Sequence, residues 1–180
     1  MSSVEAIKDL ENVRKVECIL ANQSERNLLL FTLGTNCGLR ISDILSLNVE
    51  SVKNKTSIRI QEKKTGKYKQ FPINSKLKPM IENYTKNRNL KDPLFMTIFK
   101  NRLNRVAAYE IIKKACKEAG LEEKVGTHTL RKTFGYHHYK KFKDVAILQK
   151  IFNHSNPEVT LRYIGIEQDE INKSYENFIL

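Results

Sequence analysis

Apolar residues recur at helical spacing along most of the chain and alternate with period two in one short stretch. The first segment, residues 4–21, carries apolar positions close to a helical repeat. A second apolar run over residues 27–33 follows Ser24, a residue type that caps helices, and ends near Gly38. Both segments are predicted to be core helices.

Later helices are predicted by the same spacing and by their end signals. Gly120 marks the end of one helical pattern. Asn153 tolerates the left-handed backbone of a helix stop, and Asn156-Pro157-Glu158 is typical of a helix start. The predicted helices cover about residues 41–47, 75–88, 104–119, 128–141 and 144–152, and a further one begins near 157.

The pattern changes between residues 52 and 73. Ser57-Ile-Arg-Ile60 alternates with period two, residues 63–67 form a polar, lysine-rich turn, and residues 70–73 are again extended. This pattern predicts a β-hairpin with lysines at its tip. The predicted fold class is therefore α+β and mainly α: a helical bundle with a small antiparallel hairpin.

Composition narrows the class of partner. The chain has 180 residues, enough for one domain with a real core, and its 32 Lys+Arg against 20 Asp+Glu give a net charge of +12. This charge favours nucleic acid, although anionic membrane surfaces attract the same charge. No apolar run is long enough for a membrane span, and residues 1–13 do not resemble a secretory signal. Three scattered cysteines indicate reduced thiols in a cytoplasmic protein without a zinc site.

Five polar residues stand out for their chemistry, and each has an ordinary explanation when taken alone. An arginine three residues before Asp43 is usually a surface ion pair, and a tyrosine on an amphipathic helix is usually a core residue. Together, two guanidiniums, two imidazoles and a phenol suffice to attack a phosphodiester and stabilise the resulting charge without a metal. These residues are Arg40, His128, Arg131, His154 and Tyr163.

The surrounding motifs resemble those of the tyrosine recombinases, the phage integrase family, and cover about residues 24–166. The motifs are Asn36-Cys-Gly-Leu-Arg40 with Asp43, His128-Thr-Leu-Arg131, and Ile151-Phe-Asn-His154 followed by Tyr163. The sequence departs from the family at Asn36-Cys37, where a threonine is common, and at Asn153, where glycine is usual.

The resemblance implies a catalytic domain that cuts and rejoins DNA through a 3′-phosphotyrosyl link, with no metal, ATP or cofactor. In this mechanism Tyr163 is the nucleophile and His128 its general base. The remaining roles fall to Arg40, Arg131 and His154, which stabilise the transition state, and to Asp43, which orients Arg40.

A hairpin lysine completes the set that the resemblance implies, as general acid for the departing 5′-oxygen. Counting back from Phe71-Pro-Ile73 selects Lys64, and Lys63 and Lys67 remain open. The lysines expected to contact DNA are Lys63, Lys67, Lys69, Lys132, Lys140, Lys141 and Lys143.

Residues 1–23 are predicted to form a helical segment packed on the catalytic domain, and residues 167–180 an amphipathic tail helix. In the family such a tail often docks on a neighbouring protomer, and packing on its own core is the alternative. The implied partners are double-stranded DNA, further protomers in a tetrameric synapse, and a separate accessory or clamp-domain protein. No membrane partner is expected.

The predicted function is site-specific recombination of duplex DNA. A type IB-like topoisomerase, which nicks and reseals with identical chemistry, is one alternative. The other is a DNA-binding accessory protein that has kept the fold without activity, although five retained polar groups argue against it.

Overall fold

A computed structural model of the chain describes residues 4–61, 66, 68–121, 125–126 and 128–178. Helices dominate these residues, and a two-stranded antiparallel sheet interrupts them, as the periodicity predicts. The elements are α1 (Leu10–Gln23), α2 (Glu25–Cys37), α3 (Ile41–Ser46), a 3₁₀ turn (Val49–Ser51), β1 (Ser57–Gln61), β2 (Tyr68–Pro72), α4 (Leu77–Thr85), α5 (Arg105–Glu118), α6 (Thr129–Phe142), α7 (Val145–Phe152), α8 (Pro157–Ile164) and α9 (Ile166–Asn177).

The start of the first helix differs from the prediction. Helix α1 begins at Leu10 because the side chain of Asp9 caps it by accepting from the amide of Glu11. Residues 4–9, named here the N-terminal strap, instead cross α6: the amide of Ile7 donates to Thr133 Oγ1 at 2.9 Å. Tertiary contacts with α6 therefore override the helical spacing of the first residues.

The turn between α2 and α3 depends on glycine. Gly38 ends α2 with a φ of 64°, and a Cβ at this position would lie 2.6 Å from the ring of Phe134. Both the left-handed backbone and the close ring exclude a side chain. The turn places Arg40 as the residue that begins α3, as the sequence predicts.

The buried side chains form two clusters. The large core lies among α1 to α5 and the hairpin, and it includes Leu130 at the start of α6. The small core lies among α6, α7, α8 and the start of α9. Its buried members are Tyr136, Leu148, Phe152, Ile164 and Ile166. Helix α6 thus takes part in both cores.

The hairpin is confirmed, with Ile60 of β1 opposite Lys69 of β2. Ile58 and Ile60 turn inward to the large core, while their neighbours face outward. The lysine-rich tip, residues 62–65 and 67, lies outside the described residues. Among the described helices, none combines the length and apolarity that a membrane crossing requires.

The tail begins by folding back on the chain. Ile166 is buried in the small core, and Asp169 accepts from the Lys8 ammonium of the N-terminal strap. Farther along α9, Tyr175 is 80% exposed, and Phe178 after the helix is 69% exposed. The first part of the tail therefore packs on its own protomer.

Candidate active site

The five reactive side chains predicted from the sequence come from three separate places along the chain and meet at the seam between the two cores. Arg40 begins α3, His128 directly precedes α6, and Arg131 lies in its first turn. His154 follows the end of α7, and Tyr163 lies in the last turn of α8. Helix ends fix the backbone of all five residues.

The hydroxyl of Tyr163 lies 3.1 Å from Nδ1 of His128. The tyrosine ring also packs edge-on against Phe152 and His154, with centroids 5.5 and 5.1 Å apart. Burial raises the pKa of Tyr163, and the charge and hydrogen bond of Arg131 partly oppose that effect. The phenol is therefore protonated at neutral pH, with an imidazole in place to accept its proton.

His128 is kept in the form that can accept this proton. Partial burial lowers its pKa below 6.5, and the positive charges of Arg131, Lys132 and Arg40 lower it further. The imidazole is therefore neutral at physiological pH, as a general base must be.

Arg131 joins the two cores. It is buried, with 3% of its surface exposed. Its Nη1 donates to the carbonyl oxygen of Gly38 at 2.7 Å, and its Nη2 donates to that of Phe152 at 2.8 Å. The guanidinium also lies 4.4 Å from the centroid of the Phe152 ring. These contacts hold the planar group in one orientation.

Arg40 forms a loose ion pair with Asp43, three residues along the chain. The Nη1 atom of Arg40 lies 3.9 Å from Oδ2 of Asp43, whose side chain is completely buried, while 20% of the arginine side chain is exposed. A buried carboxylate therefore lies within ion-pair distance of a partly exposed guanidinium. That Asp43 orients Arg40 toward a phosphate stays a prediction.

His154 is held by a residue that the sequence analysis did not select. Its Nδ1 lies 3.0 Å from the hydroxyl of Thr160, which is buried in the first turn of α8. Burial lowers the pKa of His154 to about 4, and Arg131, Arg40 and Lys69 add to that effect. A hydroxyl residue one turn into the helix after the histidine is the signal that could have identified this partner.

The predicted DNA-contacting lysines divide into three sets. Lys69 and Lys132 bond within the protein: Lys69 donates to the carbonyl oxygen of Ile151, and Lys132 donates to that of Val4 at 2.6 Å. A second set lies at the end of α6. Lys140 lies over a tyrosine ring, and Lys141 and Lys143 are exposed. The hairpin set, Lys63 and Lys67, lies outside the described residues, as does Lys64, the predicted general acid.

Lys132 also lies close to Tyr163. Its ammonium is 5.1 Å from the centroid of the Tyr163 ring, and burial lowers its pKa. Because its other contact is the strap carbonyl of Val4, the N-terminal strap fixes where this charge sits.

The sequence has clear relatives. The sequence profile of the phage integrase family matches residues 6–170, so the match begins earlier than residue 24. The chain is 44% identical over 179 residues to the probable integrase/recombinase YoeC of Bacillus subtilis (strain 168), covering 99% of this chain and 98% of that protein. Relatives named tyrosine recombinases are longer, and the chain spans only 52% to 59% of their length.

Solved structures share the fold. A crystal structure of XerA recombinase superposes with a TM-score of 0.79 at 18% identity, covering 98% of this chain and 64% of that one. XerH site-specific recombinase bound to its difH substrate gives a TM-score of 0.73 at 21% identity, covering 91% of this chain and 50% of that one. At these identities the likeness shows the fold alone. Together with the sequence match, it establishes that the chain belongs to the phage integrase family of tyrosine recombinases and has their catalytic-domain fold.

Proposed function

We propose that the chain breaks and rejoins duplex DNA at a specific site through a 3′-phosphotyrosyl link to Tyr163. The observation that carries the proposal is the 3.1 Å contact between the Tyr163 hydroxyl and Nδ1 of His128. A phenol beside a neutral imidazole and two guanidiniums is the arrangement that nucleophilic attack on a phosphodiester requires.

In the first step the phenol oxygen of Tyr163 attacks phosphorus, and His128 takes the phenol proton. The bond between phosphorus and the 5′-oxygen breaks, so that the 5′-oxygen leaves and accepts a proton from a general acid. Because the phosphotyrosyl bond retains the energy of the original diester, resealing is the reverse reaction and needs no ATP. We extend the proposal to metal independence, since guanidiniums supply the positive charge that a metal would otherwise supply.

Three groups would stabilise the negative charge that grows on the phosphate oxygens: Arg40, Arg131 and His154. The hydroxyl of Thr160 has one proton and two neighbours, Nδ1 of His154 at 3.0 Å and the carbonyl oxygen of Asn156 at 3.4 Å. We assign the proton to the shorter contact, which leaves the imidazole proton on Nε2. This is the tautomer that can donate to a phosphate oxygen while the ring stays neutral.

We assign the general acid to Lys64 at the hairpin tip, with Lys63 and Lys67 as the alternatives. A DNA substrate whose bridging 5′-oxygen is replaced by sulfur distinguishes them, because a thiolate leaves without a proton. Of the alanine variants at Lys63, Lys64 and Lys67, only the one that lacks the true acid should regain its rate on that substrate.

The proposed partners are double-stranded DNA and further protomers of the same chain, assembled as a tetramer in the cytoplasm. An accessory protein with a clamp domain would complete the grip on DNA. The net charge of +12 supports the DNA partner, since phosphate contacts supply most of such affinity. The exposed Lys141 and Lys143 are placed to contribute.

The test is covalent capture on a nicked duplex that loses a short strand after cleavage and so cannot reseal. We expect a protein–DNA adduct without added metal or ATP, and joined products when two duplexes carry the target site. An adduct without exchange between duplexes would indicate topoisomerase-like activity. DNA binding without any adduct would indicate a DNA-binding accessory protein without activity and would contradict the proposal.

A further inference from the structure

Two cations from other elements hold the C-terminal end of α7. The last carbonyls of a helix have no donors within it, and positive charge near them is favourable. The carbonyl oxygen of Ile151 accepts from Nζ of Lys69 in β2, and that of Phe152 accepts from Nη2 of Arg131 in α6. His154 lies two residues after Phe152. These contacts therefore constrain the backbone position from which its imidazole extends.

Lys69 reaches α7 across a cleft of about 310 Å³ between the hairpin and the helix. Apolar side chains line much of this cleft, among them Leu39, Phe71 and Ile151. The methylenes of Lys69 can cover this lining while the ammonium reaches the carbonyl beyond it. The side chain is half-buried and therefore links the hairpin to the helix end.

The position of Lys69 within the hairpin makes this link consequential. A two-stranded hairpin is only marginally stable alone, so its direction depends on side chains that attach it to the rest of the fold. Lys69 is the second residue of β2, and only Tyr68 separates it from the tip. A contact there lies closer along the chain to the tip than one at the far end of the strand would.

We propose that Lys69 is a positioning residue that clamps the hairpin to the end of α7. In this proposal the contact keeps the lysine that protonates the leaving oxygen correctly placed relative to His154 and Arg131, which stabilise the phosphate charge. This inference rests on the proposed function and on its assignment of Lys64 as general acid. It differs from a phosphate contact, which would act on DNA affinity rather than on proton transfer.

The test measures single-turnover cleavage at saturating DNA, with either oxygen or sulfur at the bridging 5′ position. Lys69→Met removes the ammonium and keeps the length of the side chain. We expect it to slow cleavage of the oxygen substrate about tenfold to a hundredfold, because small misplacements of a catalytic group have effects of this size. The sulfur substrate should restore the rate to within about threefold of the wild type, with DNA affinity nearly unchanged.

Three comparisons sharpen the result. Lys69→Arg keeps a cationic donor and should retain most of the rate on oxygen. Lys150→Met removes an exposed lysine from the same cleft and should behave as the wild type. The double variant Lys64→Ala/Lys69→Met should cleave the oxygen substrate no more slowly than Lys64→Ala, because both changes remove one function. Thermal melting establishes that each variant is folded.

The other outcomes separate this inference from the proposed function. If Lys64→Ala is rescued by sulfur and Lys69→Met is not, the clamp is wrong and the general acid stands. If Lys69→Met binds DNA weakly but cleaves at the normal rate when saturated, Lys69 is a phosphate contact and the clamp is wrong. If Lys69→Met alone is rescued, Lys69 is itself the acid, and both assignments fail. Absence of any adduct from the wild-type protein contradicts the proposed function itself.

Discussion

The two cores of the molecule differ in what lies against them. The large core is built mainly from aliphatic and aromatic side chains of α1 to α5, and of the five reactive residues only Arg40 begins one of its helices. The small core is surrounded by reactive groups: Tyr163 packs on it, and His154 lies against the ring of Phe152. The large core therefore supplies a frame, and the small core sets the orientation of Tyr163 and His154, two of the groups proposed to react.

Arg131 is the side chain that connects the two regions. Its guanidinium bonds to the carbonyl of Gly38 beside the large core and to that of Phe152 in the small core. Mutations of equal size in the two cores should therefore have unequal effects on the reaction, and mutations at the seam should affect both stability and catalysis.

The largest effect is expected at the seam. Arg131→Ala should slow cleavage by about 10³-fold or more, because it removes a charged donor to the developing oxyanion. It should also lower the free energy of unfolding by about 3 kcal/mol, since two hydrogen bonds between buried groups are lost. Single-turnover cleavage and chemical denaturation measure the two quantities. A loss of DNA affinity in proportion to the loss of rate would mean that Arg131 contributes to DNA binding and not to catalysis.

The next effect concerns the contact that crosses from α6 to α8. His128→Gln should slow cleavage about 10²-fold by removing the proposed general base. On the acid side of the wild-type pH profile, the apparent second-order rate constant should begin to fall only below pH 6.5, because the pKa of His128 is lowered and the base must be unprotonated. The variant should lose this acid limb. An unchanged acid limb in His128→Gln would assign the limb to another group.

A matched pair of buried phenylalanines tests the comparison of cores directly. Phe152 and Phe95 are both completely buried, in the small and large cores respectively. Changing either to leucine should lower the free energy of unfolding by about 1 kcal/mol. Only Phe152→Leu should also slow cleavage, by about tenfold, because its ring supports Tyr163, His154 and Arg131. Equal rate losses in the two variants would contradict the division of roles.

The smallest effect is on acid stability. The unfolded chain binds a proton at His154 near pH 6.5, whereas the folded chain binds it only near pH 4. The unfolded state therefore holds more protons between these values, and stability contributed by the neutral imidazole is lost as the pH falls through them. Between pH 7 and pH 4.5, Tm should fall less in His154→Gln than in the wild type. Equal falls would mean that His154 is not desolvated.

Much of this arrangement is readable in the sequence because it depends on local signals. Helix starts and stops place Arg40 and His154, and the left-handed Asn153, with a φ of 54°, ends α7 where glycine is usual in the family. Period-two alternation predicts the hairpin. These features need only the residues nearby.

The parts that the sequence did not predict are long-range contacts. The strap of residues 4–9 has helical spacing and yet crosses α6, where Thr133 and Lys132 bond to its backbone. The bonds of Lys69 to Ile151 and of Arg131 to two carbonyls join residues far apart in the chain. Periodicity carries no information on such pairs, because a lysine that reaches into the protein and one that reaches out occupy equivalent positions in the pattern.

The measurement that tests the central claim most directly is the identity of the residue bound to DNA after cleavage. Peptide mapping of the trapped adduct should place the 3′-phosphate on Tyr163, beside the small core. Tyr163→Phe should fold and bind DNA normally but form no adduct, and Tyr175→Phe, at the exposed end of α9, should form it at the wild-type rate. An adduct on Tyr175, or one formed by Tyr163→Phe at the wild-type rate, would contradict the account.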